Sequence, residues 1–369
     1  MTTWHHGKLP VPGGGPVFGV MTSHIVANTQ GVEEGSQHVF YGAPDGNIYE
    51  LAWKGGEAPR TRALAGGGGA LASHAVASED TQHVFHLAST HIWEIWWAGG
   101  GAPNHGDLMP DVTDPLLVAQ GGPVSHVTPD GTQHVFYTTI LGHLMELAWR
   151  GGESPRLRDL TLTPQGPALR VETRPSTYVA ADGTQHVIYG SGGHVVELTW
   201  SGRDGQPQWR DLTVQSGPRT PLALSRPVGH VFDAEGTQHA FYIAEGGHVI
   251  ELWWQGSGPP HLEDLTDRSG GPLAFTGGGP VSHVFAGDGA RRVGTQHVFY
   301  RTDDGAIFEL WWEGAGPVTP ENLLKRSDGA PPAVLGAGDP VSHVVAAERT
   351  QHVFYASTDG AITELWSEP

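Results

Sequence analysis

The residues best equipped for chemistry are glutamates and tryptophans that recur together in a short phrase resembling Glu-Leu-x-Trp. The glutamate occupies one place in seven copies of the phrase: Glu50, Glu94, Glu146, Glu197, Glu251, Glu309 and Glu364. A carboxylate accepts hydrogen bonds from hydroxyl groups, and an aromatic face packs against C–H groups. This combination favours binding of a ligand that has both hydroxyl groups and an apolar face.

The seven glutamates allow two interpretations. A carboxylate on a packed face must be hydrogen-bonded or paired, so the glutamates could be structural, bound to backbone N–H groups or to a histidine of the neighbouring repeat. They could instead accept hydrogen bonds from ligand hydroxyls. Catalysis is poorly supported, because acid–base chemistry needs two carboxylates in different environments, whereas these seven are equivalent.

The tryptophans divide into a constant and a variable position. The constant position holds Trp53, Trp97, Trp149, Trp200, Trp254, Trp312 and, in the seventh copy, Ser367. The position before it holds Ala52, Trp96, Ala148, Thr199, Trp253, Trp311 and Trp366. A constant aromatic residue indicates packing, whereas a variable one is free to shape a binding surface. The alternative, that all of them only fill gaps, stays open.

These phrases belong to a repeat of about 50 residues that runs through the chain. Each copy opens with Gln-His and contains a glycine turn before the glutamate. The hairpin signatures lie at residues 36–53, 81–97, 132–149, 184–200, 237–254, 295–312 and 350–366. A segment such as Ser23-His24 precedes each hairpin, and an Asp-Leu-Thr-like segment follows most. Four short strands per repeat predict an all-β fold, a seven-bladed β-propeller of four-stranded blades over residues 1–369.

Both chain ends are predicted to share the last blade. The seventh copy ends near Trp366 without a fourth strand, so we expect residues 4–9 to complete blade seven and leave no open edge. Strand four is expected to include the Asp-Leu-Thr segment, as at 209–213 and 263–266. Within the hairpin we predict that Val298 lies opposite Glu309 and Gln296 opposite Trp311. That pairing puts the glutamate on the face of the Gln-His glutamine.

The histidines are numerous but evenly distributed. The chain has 22, of which seven lie in Gln-His and six in the segment before it. This distribution favours structural hydrogen bonds over a metal site, so we expect no metal and no cofactor. More exposed candidates for polar contacts are His5, His6, His91, His143, His194 and His248.

Composition excludes several classes of protein. The chain has 54 Gly, 28 Pro and no Cys, which is typical of a turn-rich β protein and rules out disulfides and thiolate sites. A net charge of −19 argues against nucleic acid as a partner. The sequence has no apolar run long enough to insert into a membrane and no recognisable signal peptide. We therefore expect synthesis in the cytoplasm, with later release from the cell left open.

The motifs Gln-His-Val-Phe-Tyr (296–300), Asp-Gly-x-Ile-x-Glu-Leu-Trp-Trp (304–312) and Asp-Leu-Thr resemble those of seven-bladed bacterial propeller lectins of the Photorhabdus lectin (PLL) type. The resemblance spans essentially the whole chain. It implies several carbohydrate sites at blade junctions, for fucose and related or O-methylated sugars. With the variable tryptophans, it favours sites in blades two, five, six and seven. The implied contact residues are Trp96, Glu94, Trp253, Glu251, Trp311, Glu309, Trp366, Glu364, Tyr242, Tyr300, Tyr355 and His248.

We therefore expect a non-enzymatic, multivalent lectin whose partners are glycans or glycoconjugates, with homo-oligomerisation left open. The alternative is a protein-interaction scaffold that binds no sugar. A hydrolase or metal-dependent enzyme ranks third, because the sequence has no Gly-x-Ser-x-Gly, His-Glu-x-x-His or Walker motif.

Overall fold

The chain folds into seven antiparallel sheets of four strands each, which confirms the predicted seven-bladed β-propeller. The computed structural model describes residues 3–12, 21–27, 33–67, 69–164, 166–286, 294–336 and 338–368. We number the blades 1 to 7 in chain order. Within the described ranges, no helix is long and apolar enough to cross a lipid bilayer.

The strands of each blade are given from the channel outward. Blade 1 consists of β2 (Thr22–Ile25), β3 (Gln37–Gly42), β4 (Asn47–Trp53) and β5 (Arg60–Gly66). Blade 2 consists of β6 (Leu71–Val76), β7 (Thr81–Ala88), β8 (His91–Ala98) and β9 (Asn104–Asp107). Blade 3 consists of β10 (Ala119–Val127), β11 (Gln133–Thr139), β12 (Leu144–Trp149) and β13 (Arg156–Asp159). A small hairpin, β14 (Leu162–Thr163) and β15 (Gly166–Pro167), follows blade 3. Blades 4 and 5 consist of β16 (Ser176–Val179), β17 (Thr184–Ser191), β18 (His194–Ser201) and β19 (Gln208–Asp211); and β20 (Val228–Phe232), β21 (Thr237–Ile243), β22 (Val249–Gln255) and β23 (His261–Asp264). Blades 6 and 7 consist of β24 (Val281–Ala286), β25 (Gly294–Arg301), β26 (Ile307–Trp312) and β27 (Thr319–Asn322); and β28 (Val341–Val345), β29 (Thr350–Ala356), β30 (Ile362–Glu368) and β1 (Thr3–Leu9).

Three short helices follow the outermost strands of blades 4, 5 and 6: α1 (Leu212–Ser216), α2 (Leu265–Ser269) and α3 (Leu323–Arg326). A 3₁₀ turn spans Glu245–Gly247. The Asp-Leu-Thr segment therefore does not lie wholly in strand four, contrary to our prediction. The strand ends at Asp211 or Asp264, whose carboxylate caps the helix by accepting the N–H of Val214 or Asp267. Aspartate is a preferred N-cap because it satisfies a backbone donor that lacks a helical partner.

The N-terminal strand closes the ring. β1 pairs antiparallel with β30, from Thr3 opposite Glu368 to Leu9 opposite Ile362, which confirms that it completes blade 7. The same strand explains why blade 7 has serine at the constant tryptophan position. Trp4 lies opposite Ser367, is only 3% exposed, and packs edge-on against Phe299 of blade 6 with ring centroids 6.4 Å apart.

The other constant tryptophans also pack against the preceding blade, four of them edge-on against a phenylalanine. Five of them contact a phenylalanine with ring centroids 5.9–6.1 Å apart: Phe40–Trp97, Phe85–Trp149, Phe136–Trp200, Phe241–Trp312 and Phe354–Trp53. Trp254 packs in a cluster with Ile188 instead. Edge-on aromatic pairs add about 1 kcal/mol to the burial of the rings, so these contacts hold neighbouring blades together.

The hairpin register differs by one residue from our prediction. Phe299, not Val298, lies opposite Glu309, and Gln296 lies opposite Trp312. Because successive side chains point to opposite faces, a one-residue shift moves the glutamate to the other face of the blade. Glu309 therefore shares a face with His297 and Trp311, and not with Gln296.

The two histidine motifs join neighbouring blades and define the central ring. In six junctions, Nε2 of the innermost-strand histidine lies 2.9–3.0 Å from Oε1 of the glutamine in the next blade: His24–Gln82, His74–Gln133, His126–Gln185, His230–Gln296, His283–Gln351 and His343–Gln37. Blade 4 has Tyr178 at this position, and among the described residues neither its buried hydroxyl nor the buried Oε1 of Gln238 has a hydrogen-bond partner.

Candidate functional site

The seven glutamates are each bound to a histidine of their own hairpin. Nδ1 of the histidine lies 2.6–2.8 Å from Oε1 of the glutamate in His38–Glu50, His83–Glu94, His134–Glu146, His186–Glu197, His239–Glu251, His297–Glu309 and His352–Glu364. The partner is thus a histidine of the same blade, not of the adjacent one. This pairing gives one carboxyl oxygen, Oε1, a hydrogen-bond partner. The partner of the second oxygen, Oε2, differs between blades.

A hydroxyl group extends this pair to a chain of three in five blades. The hydroxyl oxygen lies 2.6–2.8 Å from Nε2 of the same histidine in Ser36–His38, Thr81–His83, Thr237–His239, Thr295–His297 and Thr350–His352. In blade 1 the Ser36 hydroxyl donates its proton to the backbone oxygen of Glu33. In this blade the hydroxyl proton is therefore directed away from the imidazole, and the hydroxyl oxygen helps to orient the histidine.

Arginines occupy the second carboxylate oxygen in blades 1, 3 and 4, and our sequence reasoning did not select them. Nε of the arginine donates to Oε2 over 2.5–2.7 Å in Arg62–Glu50, Arg158–Glu146 and Arg210–Glu197. Each guanidinium also lies 4.7–5.7 Å from the ring of the next blade's constant tryptophan, in Arg62–Trp97, Arg158–Trp200 and Arg210–Trp254. A sequence signal was present, because these are the blades whose variable position lacks tryptophan.

In blades 2, 5, 6 and 7 the variable position is tryptophan, and the residue opposite the glutamate is not arginine. The residue opposite the glutamate is there Gly106, Glu263, Glu321 or Gly7. The indoles of Trp96, Trp253, Trp311 and Trp366 are all half-buried, whereas the residues at the constant position beside them, three tryptophans and Ser367, are buried. The outermost strand supports the indole: Trp253 stacks on His261 with ring centroids 4.2 Å apart, and Trp366 stacks on His5 at 5.4 Å.

Glycine in the outermost strand brings two of these indoles close to the backbone. A Cβ atom on Gly106 would lie 3.3 Å from Trp96, and one on Gly7 would lie 3.3 Å from Trp366. In the same two blades the glutamate side chain is most open, at 10% for Glu94 and for Glu364. Within the described residues, Oε2 of neither carboxylate has a hydrogen-bond partner. This oxygen can therefore accept a hydrogen bond from a ligand.

Burial keeps the pairs in blades 5 and 6 uncharged. It raises the pKa of Glu251 and of Glu309 to about 8, and Glu263 adds to the increase at Glu251. It lowers the pKa of His239 to about 4 and that of His297 to about 3. A neutral carboxylic acid then faces a neutral imidazole at pH 7, which suits an uncharged ligand better than an ionic one.

Three of the pairs line crevices at blade junctions. The crevice between blades 1 and 2 has a volume of about 510 Å³ and contains His38, Glu50 and Arg62. The crevice between blades 4 and 5 measures about 430 Å³ and contains Glu197 and Arg210. A third, of about 360 Å³ between blades 2 and 3, is lined by His83, Glu94, Trp96 and Trp149. These volumes lie in the range of small-molecule sites.

Tyr242, Tyr300 and Tyr355 are placed away from these crevices. All three are buried, and their hydroxyls donate to the backbone oxygens of Pro221, Pro272 and Pro331 over 2.7–2.9 Å. They tie the hairpin to the segment that leads to the next blade. We therefore leave them out of the proposed site.

His248 is also bound within the fold. Its Nδ1 lies 2.8 Å from Oδ2 of Asp264 and 3.6 Å from Oδ1 of Asp267, at the outer end of blade 5. The three groups lie within 4.8 Å of one another, a spacing that could hold a metal ion. Because His248 is satisfied by Asp264, and Asp264 also caps α2, the cluster has a structural role without an ion.

Comparison with known proteins concerns the fold. No family model matches the chain, and no curated protein does. Among solved structures, the BP39L lectin from Burkholderia pseudomallei is similar over 95% of this chain and 96% of its own, with a TM-score of 0.68 and 15% identity. AofleA from Arthrobotrys oligospora is similar over 87% of this chain and 90% of its own, with a TM-score of 0.51 and 15% identity. Both share the propeller architecture with this chain.

Proposed function

We propose that this protein is a non-enzymatic, multivalent lectin of the Photorhabdus lectin type, which binds uncharged sugars in crevices between its blades. The observation that carries the proposal is the half-buried indole beside a partly open carboxylate, as in Trp96 and Glu94. An indole face packs against the C–H side of a sugar ring, while an oxygen of the carboxyl group accepts hydrogen bonds from its hydroxyl groups. The likeness of fold to the BP39L lectin supports this reading.

The proposed contact residues come from the four blades that have a tryptophan at the variable position. They are Trp96 with Glu94, Trp253 with Glu251, Trp311 with Glu309, and Trp366 with Glu364. Fucose and O-methylated sugars fit this pattern because each has an apolar methyl group on an otherwise polar ring. In blades 1, 3 and 4 a guanidinium binds the glutamate and the variable position has no indole. We therefore expect these three blades to bind ligands differently from blades 2, 5, 6 and 7.

Multivalency compensates for weak single sites. A small sugar in a partly open crevice binds with a Kd of about 1 mM to 1 µM. Several sites on one rigid ring increase the apparent affinity for a glycan-coated surface by about 10²-fold or more. The proposal therefore predicts strong binding to dense glycans and weak binding to free monosaccharides.

The decisive experiment combines a glycan array with calorimetric titration of methyl α-L-fucoside. The wild-type protein is compared with the Trp253→Ala/Trp311→Ala double variant. Both indoles are half-buried, so their removal is expected to leave the fold intact. We expect the variant to lose two sites in the titration and about tenfold or more of its apparent affinity on the array.

A matched control is Trp93→Ala. Trp93 is also half-buried but stacks on His105, with ring centroids 4.9 Å apart, and lies outside the crevice lining. It should retain the wild-type number of sites. If folded wild-type protein binds no glycan, the lectin proposal is wrong, and a protein-interaction scaffold becomes the better explanation.

A further inference from the structure

The central channel contains a second polar region, which is lined by different residues from those of the crevices. It is lined by the innermost strands of all seven blades and has a volume of about 540 Å³. Hydroxyl groups cover much of its wall: Thr22, Ser23, Ser73, Ser125, Ser176, Thr177, Ser282 and Ser342. Of the described residues in this lining, the charged ones are Arg174, Arg226 and Asp339, which lie just before the innermost strands of their blades.

These charged residues reach across the channel between blades that are not neighbours. Arg226, before blade 5, donates from Nε to Oδ2 of Asp339, before blade 7, over 2.7 Å. The backbone N–H of Gly279 donates to the other oxygen of Asp339 over 2.6 Å. Arg174, before blade 4, donates from Nη2 to the backbone oxygens of Pro123, at 2.8 Å, and Leu71. The three side chains thus gather at one mouth of the channel.

The mouth has more positive than negative charge. Arg174 has no ion-pair partner within the described residues, and Asp339 is already paired with Arg226. A third guanidinium, that of Arg301, lies behind Gly278 and donates from Nη1 to the backbone oxygens of Val334 and Gly338. Burial, and then repulsion from Arg226, lower the pKa of Arg174 to about 9. Arg174 is half-buried, and a charge withdrawn from water normally has a counterion, since its desolvation is costly.

Donors also remain available at this mouth. In the part of the chain that the structure describes, only Nε of the Arg226 guanidinium has a hydrogen-bond partner, which leaves both Nη groups free. Within the described residues, Nη1 of Arg174 also has no hydrogen-bond partner, whereas its Nε is buried and does not face the channel. Guanidinium groups bind oxyanions through pairs of parallel N–H donors. The unpaired positive charge and the unused N–H donors therefore both favour an oxyanion as ligand.

We propose that this mouth of the central channel binds one small oxyanion between Arg174 and Arg226. The shared chemistry is that of a carboxylate, phosphate or sulfate group. Several hydroxyls of the channel wall are bound to Nδ1 of the ring histidines, and their oxygens can accept hydrogen bonds from an anion that is itself hydroxylated, such as a sugar acid. This site lies on the ring axis and does not involve the crevice residues, so it stands independently of the lectin proposal.

The test is calorimetric titration and thermal unfolding of the full-length protein with phosphate, sulfate, acetate and gluconate, at constant ionic strength set with chloride. We expect saturable binding of at least one oxyanion and a rise in Tm that follows the same saturation. Tighter binding of gluconate than of phosphate or sulfate identifies an organic acid as the source. The reverse order identifies an inorganic anion.

Two substitutions are expected to change the affinity for the oxyanion in opposite directions. Arg174→Gln removes a charged donor and should weaken oxyanion binding by about tenfold or more. Asp339→Asn removes the competing carboxylate and should tighten it by a similar factor. Arg60→Gln is the control, because the Arg60 side chain is 84% exposed, and it should bind like wild type. The absence of saturable binding by wild type, or weaker binding by Asp339→Asn, would overturn the proposal. The Asp339→Asn arm decides the matter even if Arg174→Gln fails to fold.

Discussion

At the scale of single residues, the crevices depend on what approaches the second oxygen of each glutamate. In blades 1, 3 and 4 that group is an arginine, which is held by the carboxylate, by the next tryptophan and by a backbone oxygen of the next blade. Arg62 illustrates this, since its Nη1 donates to the oxygen of Gly101 over 3.1 Å. In the other four blades the residue opposite the glutamate is glycine or glutamate, and the variable position of the hairpin is a half-buried tryptophan. The same hairpin thus provides either an ion pair or an aromatic surface.

The arginine of these crevices should be important for stability. Glu50 is only 3% exposed, so Arg62→Met leaves a buried carboxylate with one fewer partner. We expect a loss of about 2–4 kcal/mol in the free energy of unfolding, measured by urea denaturation. Arg60→Met, at an exposed position two residues away, should change it by less than about 0.5 kcal/mol.

The double variant Arg62→Met/Glu50→Gln separates the buried charge from lost packing. Removing the charge together with its partner should recover part of the loss, because the amide costs less to bury than the carboxylate. A double variant no more stable than Arg62→Met would mean that packing of Arg62 on Trp97, and not the ion pair, determines its contribution.

At the scale of elements, β1 has two functions in blade 7. It supplies the fourth strand, with paired residues from Thr3 to Leu9, and it supplies the indole that the blade's own hairpin lacks. Trp4 fills the position beside Ser367 and contacts Phe299 of blade 6. Residues of β1 and β30 therefore form the interface between blades 6 and 7 together.

This dual function predicts a large effect of one substitution. Trp4→Ala removes a large buried side chain from the junction of blades 6 and 7 and should cost about 3–5 kcal/mol in the free energy of unfolding. Thr3→Ala, at the exposed neighbouring position, serves as the control and should cost less than about 0.5 kcal/mol. A loss below about 1 kcal/mol for Trp4→Ala in urea denaturation would show that β1 is dispensable for closure.

At the scale of the whole molecule, the His–Gln pairs form a nearly complete ring around the channel. Burial lowers the pKa of His24, His126 and His230 to about 3, and it lowers the pKa of His74, His283 and His343 well below the ordinary value of 6.5. These six imidazoles are neutral in the folded protein and take up protons on unfolding. Each stabilises the fold fully above pH 6.5 and loses that contribution as the pH falls toward its folded pKa.

The ring therefore predicts a loss of stability in acid. The free energy of unfolding should fall progressively below pH 6.5. Glu251 and Glu309 act in the opposite sense, since their raised pKa values favour the fold below pH 4.5 and lose that contribution as the pH rises toward 8. The six histidines outnumber them, so the net trend between pH 6.5 and 4.5 is destabilising.

One variant isolates the contribution of the ring. His230→Gln should be less stable at pH 7.5, because it loses the bond to Gln296, but its free energy of unfolding should depend less steeply on pH. The difference corresponds to about one proton, or about 1.4 kcal/mol per pH unit, between pH 6 and 4. Urea denaturation at several pH values measures both slopes. Identical slopes would assign the acid sensitivity to other groups.

The sequence by itself determined the seven blades, the four strands of each and the closure of the ring by residues 4–9. The reason is that strand periodicity and turn glycines are local, and seven imperfect copies of one pattern reinforce each other. It also separated the buried constant tryptophans from the half-buried variable ones, because positions that pack against a neighbouring blade in every copy tolerate less change. The glutamates and tryptophans of the candidate site were found in this way.

Only the tertiary structure decided which groups meet. A one-residue shift in register placed Glu309 with His297, and pattern alone could not fix it because either register buries apolar side chains. Arg62 meets Trp97, and Arg226 meets Asp339, across blade junctions and across the channel. Such contacts join residues tens of positions apart in the chain, and they follow from the angle and spacing of blades around a common axis. The periodicity of the sequence contains no information about that geometry.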